Sequence, residues 1–218
     1  MDQAVKSIID AFGYVLPEVV LVATACVLFL LAPFFRSDDP SSPGGARHRF
    51  GVLSLLGLAF AAWLWLDGPP FEPPGGIWSG PFRGDQLAWF IRALTLSIGV
   101  VLVLLSWNQF APGEVGESQA CLLLILAGVN LTVAANDLVG LFLALELVSI
   151  PTYILLYLIR SSSAGQEAVV KYFLLSIFSS ALLLYGFSFL YGAAGTTNLE
   201  AIRAGLVNAA AAPPMILA

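Results

Sequence analysis

One carboxylate stands apart in the stretch 136–158, NDLVGLFLALELVSIPTYILLYL: Glu146, set among Leu, Phe, Val and Ile. The run reads as a single membrane-spanning helix. At about 1.5 Å per residue, the nine residues from Asp137 place Glu146 roughly 14 Å into a hydrocarbon layer about 30 Å thick, near its midplane. An unpaired carboxylate there costs at least about 2.5 kcal/mol on insertion scales, so such residues face a partner or a water-filled cavity and move charge. A cation follows one helix later, Lys171 in EAVVKYFLLSIFSSALLLYGFSFLYG. When a buried acid and a buried amine separate, the acid favours taking up a proton and the amine favours releasing one. Glu146 and Lys171 are therefore a candidate proton-transfer pair, and the chemistry they suit is charge movement without covalent steps.

The neighbours of both residues fit a hydrated path. On a helical period Phe142, Glu146, Ser149 and Tyr153 share one face. Gly140 and Ala144 have the small-xxx-small spacing that permits close helix contact. Pro151 removes a backbone donor and clashes with the carbonyl of Leu147, so a kink is expected beside Glu146, with a carbonyl left free for water. In the next helix Tyr172, Ser176 and Ser179 fall in the arc that carries Lys171. A plainer reading stands beside each feature. Pro151 is compatible with an ordinary kink next to a coincidental acid. Lys171 lies only about five residues past the start of its helix, where a long side chain can snorkel to the headgroups. Straight-helix geometry leaves a gap of order 12 Å between Glu146 and Lys171. Tilt and the Pro151 bend shorten that gap, and a water can bridge it.

Two further charges lie inside apolar runs. Glu18 follows Pro17 in LPEVVLVA, which suits the first helical turn and the positive end of the helix dipole. Arg92 sits six residues beyond Gln86, and snorkelling is the simpler explanation.

The elements that position these residues are membrane helices. Hydrophobic residues make up 59% of the chain and charged residues 11%, with a mean hydropathy of +0.90. Soluble domains carry about 25% charged residues. The apolar runs are long and lack strand alternation, which favours helices over a barrel. The formal net charge is −5 and no basic cluster points to nucleic acid. Cys26 and Cys121 fall in separate apolar runs and read as small packing residues. His48 lies in a loop between Arg47 and Arg49, and neither metal spacing nor a Gly-rich phosphate loop is present.

The fold class expected is all-α, one polytopic membrane domain over 1–218. Three leading spans are expected at about 14–35, 50–66 and 86–107, then three more at about 120–135, 138–159 and 166–191. Residues 1–10 suit a short interfacial helix, 67–85 an extended loop, 199–207 a surface helix, and a further span begins at Pro213. Arg36, Arg47, Arg49 and Arg160 lie on one side, Lys6, Arg83 and Arg203 on the other. The cluster next to the first span decides the orientation: N-terminus outside, RSSSAG turn inside.

With these residues in view, the chain resembles the antiporter-like membrane subunits of respiratory complex I, the bacterial NADH-quinone oxidoreductase. LPEVVLVA at 16–23 and DQLAWFIRALTLSIGVVLVLLS at 85–106 carry part of the likeness. The most specific block is 134–197, where ANDLVGLFLALELVSIPTYILLYL is followed by EAVVKYFLLSIFSSALLLYGFSFLYGAAGTT. The resemblance implies proton translocation driven by quinone reduction elsewhere in the complex. It places the family's functional glutamate on Glu146 and its helix-six lysine on Lys171. It implies two inverted five-helix repeats behind three leading helices, with broken helices at the repeat centres. This chain is expected to be truncated before the first broken helix. No cofactor is expected in it; NADH, FMN, Fe–S clusters and quinone belong to other subunits. Its partners are then other membrane subunits, the lipid bilayer and, indirectly, the quinone pool, with no nucleic acid. The location implied is the bacterial inner membrane. Two other readings remain: the homologous subunit of a multisubunit cation/proton antiporter or membrane-bound hydrogenase, and a structural fragment that does not pump.

Overall fold

A computed structural model describes residues 13–35, 45–68, 81–111, 113–159 and 162–211. Among them are seven α-helices: α1 (Leu16–Leu31, continued by a 3-10 turn over Ala32–Phe35), α2 (Gly45–Asp67), α3 (Gln86–Ser106), α4 (Val115–Ala134), α5 (Leu138–Ile159), α6 (Ser163–Ala194) and α7 (Leu199–Ala211). The first six are long and apolar enough to cross a membrane, so the chain is an all-α integral membrane protein.

Local signals set the helix ends. Pro17 occupies the first turn of α1, where its missing N–H costs nothing. Asp85 accepts a hydrogen bond from the Ala88 amide at 2.8 Å, Asp137 from Val139 at 2.9 Å, and Ser162 from Gly165 at 3.2 Å. Each takes up a donor that the first helical turn leaves orphaned. α6 stops at Gly195, whose φ of 67° is left-handed and open to glycine without a Cβ clash.

α4 lies at the centre and packs on α1, α2, α3 and α5, whereas α6 packs on α5 and α7. Lipid tails are as apolar as leucine, so membrane helices gain little from hydrophobicity against one another and rely on close packing. Glycines permit that approach. A Cβ on Gly99 of α3 would stand 2.6 Å from Leu126 of α4, one on Gly116 of α4 2.8 Å from Ala32, and one on Gly128 of α4 2.7 Å from Val148 of α5. Leu21, Leu28, Leu58, Leu96, Leu123 and Leu126 fill the core among α1 to α4. α6 contributes no buried residue.

The fifth span has the expected bounds, and the helix expected after Leu199 is α7. α4 begins at Val115, ahead of the expected 120, because two polar residues there are at home inside. Ser118 and Gln119 are fully buried; the Ser118 hydroxyl donates to the Val115 carbonyl at 2.9 Å and the Gln119 amide to Ser106 Oγ at 2.9 Å. The interfacial segment 1–10, most of the 67–85 loop and the span from Pro213 lie outside the described residues.

At the end where α1, α3 and α5 begin, three connecting segments are strapped together. Arg83 N donates to Ala134 O at 2.6 Å, Asn136 N to Pro81 O at 2.9 Å, Leu138 N to Thr197 O at 2.9 Å and Leu199 N to Asn136 O at 3.0 Å. The Arg83 guanidinium adds a 3.0 Å ion pair to Glu200.

Candidate functional site

α5 turns its small residue Ala144 (3% exposed) toward α4, where Gly128 comes within 3.1 Å of the Ala144 carbonyl if given a Cβ. Glu146 lies two positions on, about 200° round the helix, and so looks away from α4 toward α6. There the Ser180 hydroxyl donates to Glu146 Oε1 at 2.5 Å. A second contact fixes the register: Tyr153 meets Phe173 edge-on, with ring centroids 5.0 Å apart. Seven residues along α5 match seven back along α6, so the two helices run antiparallel. Glu146 lies eight residues past Leu138, about 12 Å into α5, half-buried between two helices.

Lys171 is placed elsewhere. Its ammonium pairs with Glu167 Oε1 at 2.6 Å, one turn back on the same helix, and both side chains are open, 73% and 66% exposed. Nine residues separate Lys171 from Ser180. That is two and a half turns and about 14 Å of rise, which sets Lys171 on the side of α6 opposite the glutamate. The described residues do not bring Glu146 and Lys171 into contact.

Two of the five expected path-lining hydroxyls serve their own helix. Ser149 donates to Leu145 O at 2.9 Å and Ser179 to Leu175 O at 3.0 Å. Tyr153 lines an apolar cleft with Ile154, Tyr157, Val169, Val170 and Phe173. Tyr172 is exposed, whereas half-buried Ser176 lies one turn from Ser180 on the stripe that faces α5. Pro151 is buried within α5, which continues to Ile159. The close helix contact expected of Gly140 belongs to Gly128, since a Cβ on Gly140 would find only Asp137 Cβ at 3.9 Å. Ser180 was the hydroxyl that residue-by-residue reading missed. Folding the sequence about the turn at Ser163 finds it, because positions 146 and 180 are equidistant from that point.

A second acid is buried more deeply. Glu18 (1% exposed) and Arg92 (6%) form an ion pair from Nε to Oε1 at 2.7 Å between α1 and α3. The guanidinium lies 4.5 Å from the ring centroid of Tyr14 and donates from Nη2 to the Tyr14 carbonyl at 3.4 Å. Burial pushes the Tyr14 phenol above its ordinary value; Arg92 opposes that rise, and Glu18 and Asp85 add to it. This arrangement corrects two expectations. Arg92 does not snorkel, and Glu18 does more than complement a helix dipole. Each charge meets the opposite one because α1 and α3 cross in the same direction, so their first turns share one membrane face. That shared face was the available signal.

Comparison with known proteins follows the same lines. Residues 135–218, which hold Glu146 and Lys171, match the family described as NADH:quinone oxidoreductase/Mrp antiporter, transmembrane. Over 92% of its length the chain is 34% identical to the NADH-quinone oxidoreductase subunit N of Rhodospirillum rubrum, of which it covers 39%. With the protein of that name in Myxococcus xanthus the identity is 36% over 91% of the chain and 37% of the relative. With subunit N 1 of Solibacter usitatus it is 32% over 89% and 38%. The chain thus spans less than two fifths of the length of these relatives. A solved structure of an archaeal respiratory membrane complex, the membrane-bound sulfane sulfur reductase, contains a chain of the same fold. The TM-score is 0.63 at 22% identity, over 83% of this chain and 38% of that one.

Proposed function

We propose that this chain acts in a proton-translocating membrane subunit of an NADH-quinone oxidoreductase, in which quinone reduction elsewhere drives proton transfer through Glu146 and Lys171. The observation that carries this reading is Glu146 itself: a carboxylate at mid-depth of a membrane helix, turned to a neighbouring helix and held by Ser180. Membrane acids of this kind mark proton relays. The path to Lys171 starts in the α5–α6 contact. It runs past Ser180 to the open side of α6, where Lys171 stands. Ser176, one turn from Ser180 on the same stripe, and Tyr172, beside Lys171, are the path-lining groups best placed for it. Redox chemistry with NADH, FMN, Fe–S clusters and quinone is assigned in this reading to partner subunits. We place the protein in the bacterial inner membrane with the strapped end, where α1 begins, outside.

The description of the matched family also names an antiporter. The test is Glu146→Gln in the assembled complex. NADH-driven acidification per electron should fall sharply while assembly is kept. Wild-type acidification per electron in Glu146→Gln and in Lys171→Ala would leave only a structural role. Sodium-dependent exchange without NADH-driven acidification would transfer the assignment to the antiporters.

A further inference from the structure

Among the described residues, three buried polar atoms lack a protein partner in one region of the bundle: the second carboxylate oxygen of Glu18 and both side-chain amide atoms of Asn130, which is 3% exposed. They belong to different helices, and helix register brings them together. Gln119 of α4 bonds Ser106 of α3, and Leu126 meets Gly99, so each step along α4 is matched by an equal step back along α3. Four residues beyond Leu126, Asn130 stands level with Thr95, one turn from Arg92 and itself buried. On the other side Gly116 of α4 meets Ala32 of α1. Fourteen residues on from Gly116, Asn130 stands level with Glu18. Direction agrees with depth. About eleven residues make three turns and about fourteen make four, so Asn130 points between the α3-facing line of Gln119 and the α1-facing line of Gly116. That is the seam in which Glu18 and Arg92 pair.

Buried polar groups in proteins are satisfied nearly always, and an amide with neither donor nor acceptor engaged is costly in an apolar interior. Here an acceptor oxygen of a carboxylate stands level with an amide that offers both donors and an acceptor. Internal waters settle in such places, making about three hydrogen bonds each to groups the protein leaves open. A bare cation is disfavoured, because the Arg92 guanidinium already holds the carboxylate.

We infer that Glu18, Arg92 and Asn130 form a water-binding site in the α1–α3–α4 seam, in which internal water bridges the free oxygen of Glu18 to the Asn130 carboxamide. The site makes the leading helices hydrated at one level, on helices other than those that hold Glu146 and Ser180. Tyr14 closes it toward the membrane surface, its ring against Arg92 and its edge 2.6 Å from where a Cβ on Gly84 would stand.

The test uses water as the probe. In water-edited solid-state NMR of the full chain in bilayers, magnetisation should reach the Asn130 side-chain amide as fast as it reaches the helix-capping amide of Asn198. Transfer as slow as to the backbone of Leu123 and Ala127, both fully buried, overturns the site. A second measurement is the thermal midpoint of Asn130→Leu. Loss of water-satisfied bonds should lower it by a few degrees, whereas relief of a dry, unpaired amide would raise it and contradict the site. The transfer experiment needs no variant and decides if Asn130→Leu does not fold.

Discussion

Replacing Arg92 by leucine should be among the most damaging single changes in the bundle. Glu18 is 1% exposed and its Oε1 accepts from Arg92 at 2.7 Å, so the variant leaves a carboxylate buried with its charged partner gone. Breaking a buried pair in this way typically costs about 3–5 kcal/mol. At about 1.4 kcal/mol per tenfold change, the folded-to-unfolded ratio should fall by more than about a hundredfold. The cost comes from the stranded charge, so removing both charges should cost far less. Glu18→Leu with Arg92→Met replaces the pair by apolar groups of similar size, and such replacements are often neutral or stabilising. The assay is reversible unfolding in bilayers or mixed micelles, run as a double-mutant cycle. Two large single losses and a nearly wild-type double variant are expected, with a coupling energy of at least about 2 kcal/mol. Additive effects, or single losses below about 0.5 kcal/mol, would refute the claim that this pair is buried and acts as a unit.

Gly128→Val should destabilise the α4–α5 contact by about 1–3 kcal/mol through overpacking, because its Cβ would lie 2.7 Å from Val148 Cγ2 and 3.0 Å from the Val148 amide. The matched control is Gly186→Ala in α6, where nothing lies within 4 Å; equal losses at both positions, read by the same unfolding assay, would argue against the packing account. Lys171→Ala removes an exposed i,i+4 pair with Glu167, and its effect on unfolding should stay below about 1 kcal/mol. In the assembled complex the same substitution should lower acidification per electron, a divergence that a purely structural lysine would not produce.

Much of the fold was legible because the bilayer demands about 20 apolar residues per span, and α5 met that demand with its bounds clean on both sides. The start of α4 was obscured by Ser118 and Gln119, whose polarity suggests a loop until their hydrogen bonds to Val115 and Ser106 are known. Glu146 could be found alone, since mid-depth in a single helix is a matter of counting. Its partner could not, because Ser179 and Ser180 are adjacent in sequence and point in directions about 100° apart. Only the register between α5 and α6 selects Ser180. Arg92 failed for the same reason. A charge considered within its own helix has no reason to stay inside, and its reason here lies 74 positions away in Glu18.

α6 is 32 residues long, about 48 Å, and the strap at Asn136–Leu199 holds it at its Gly195 end. Geometry then makes it a lever. Ser180 lies fourteen residues from Ala194 and Lys171 twenty-three, arms of about 21 and 35 Å. A swing of about 5° about the strap would carry Lys171 sideways by about 3 Å and Ser180 by less than about 2 Å. The hydroxyl bound to Glu146 moves about three fifths as far as the lysine, so a tilt that displaces the cation also loosens the grip on the acid, and the two events are mechanically coupled.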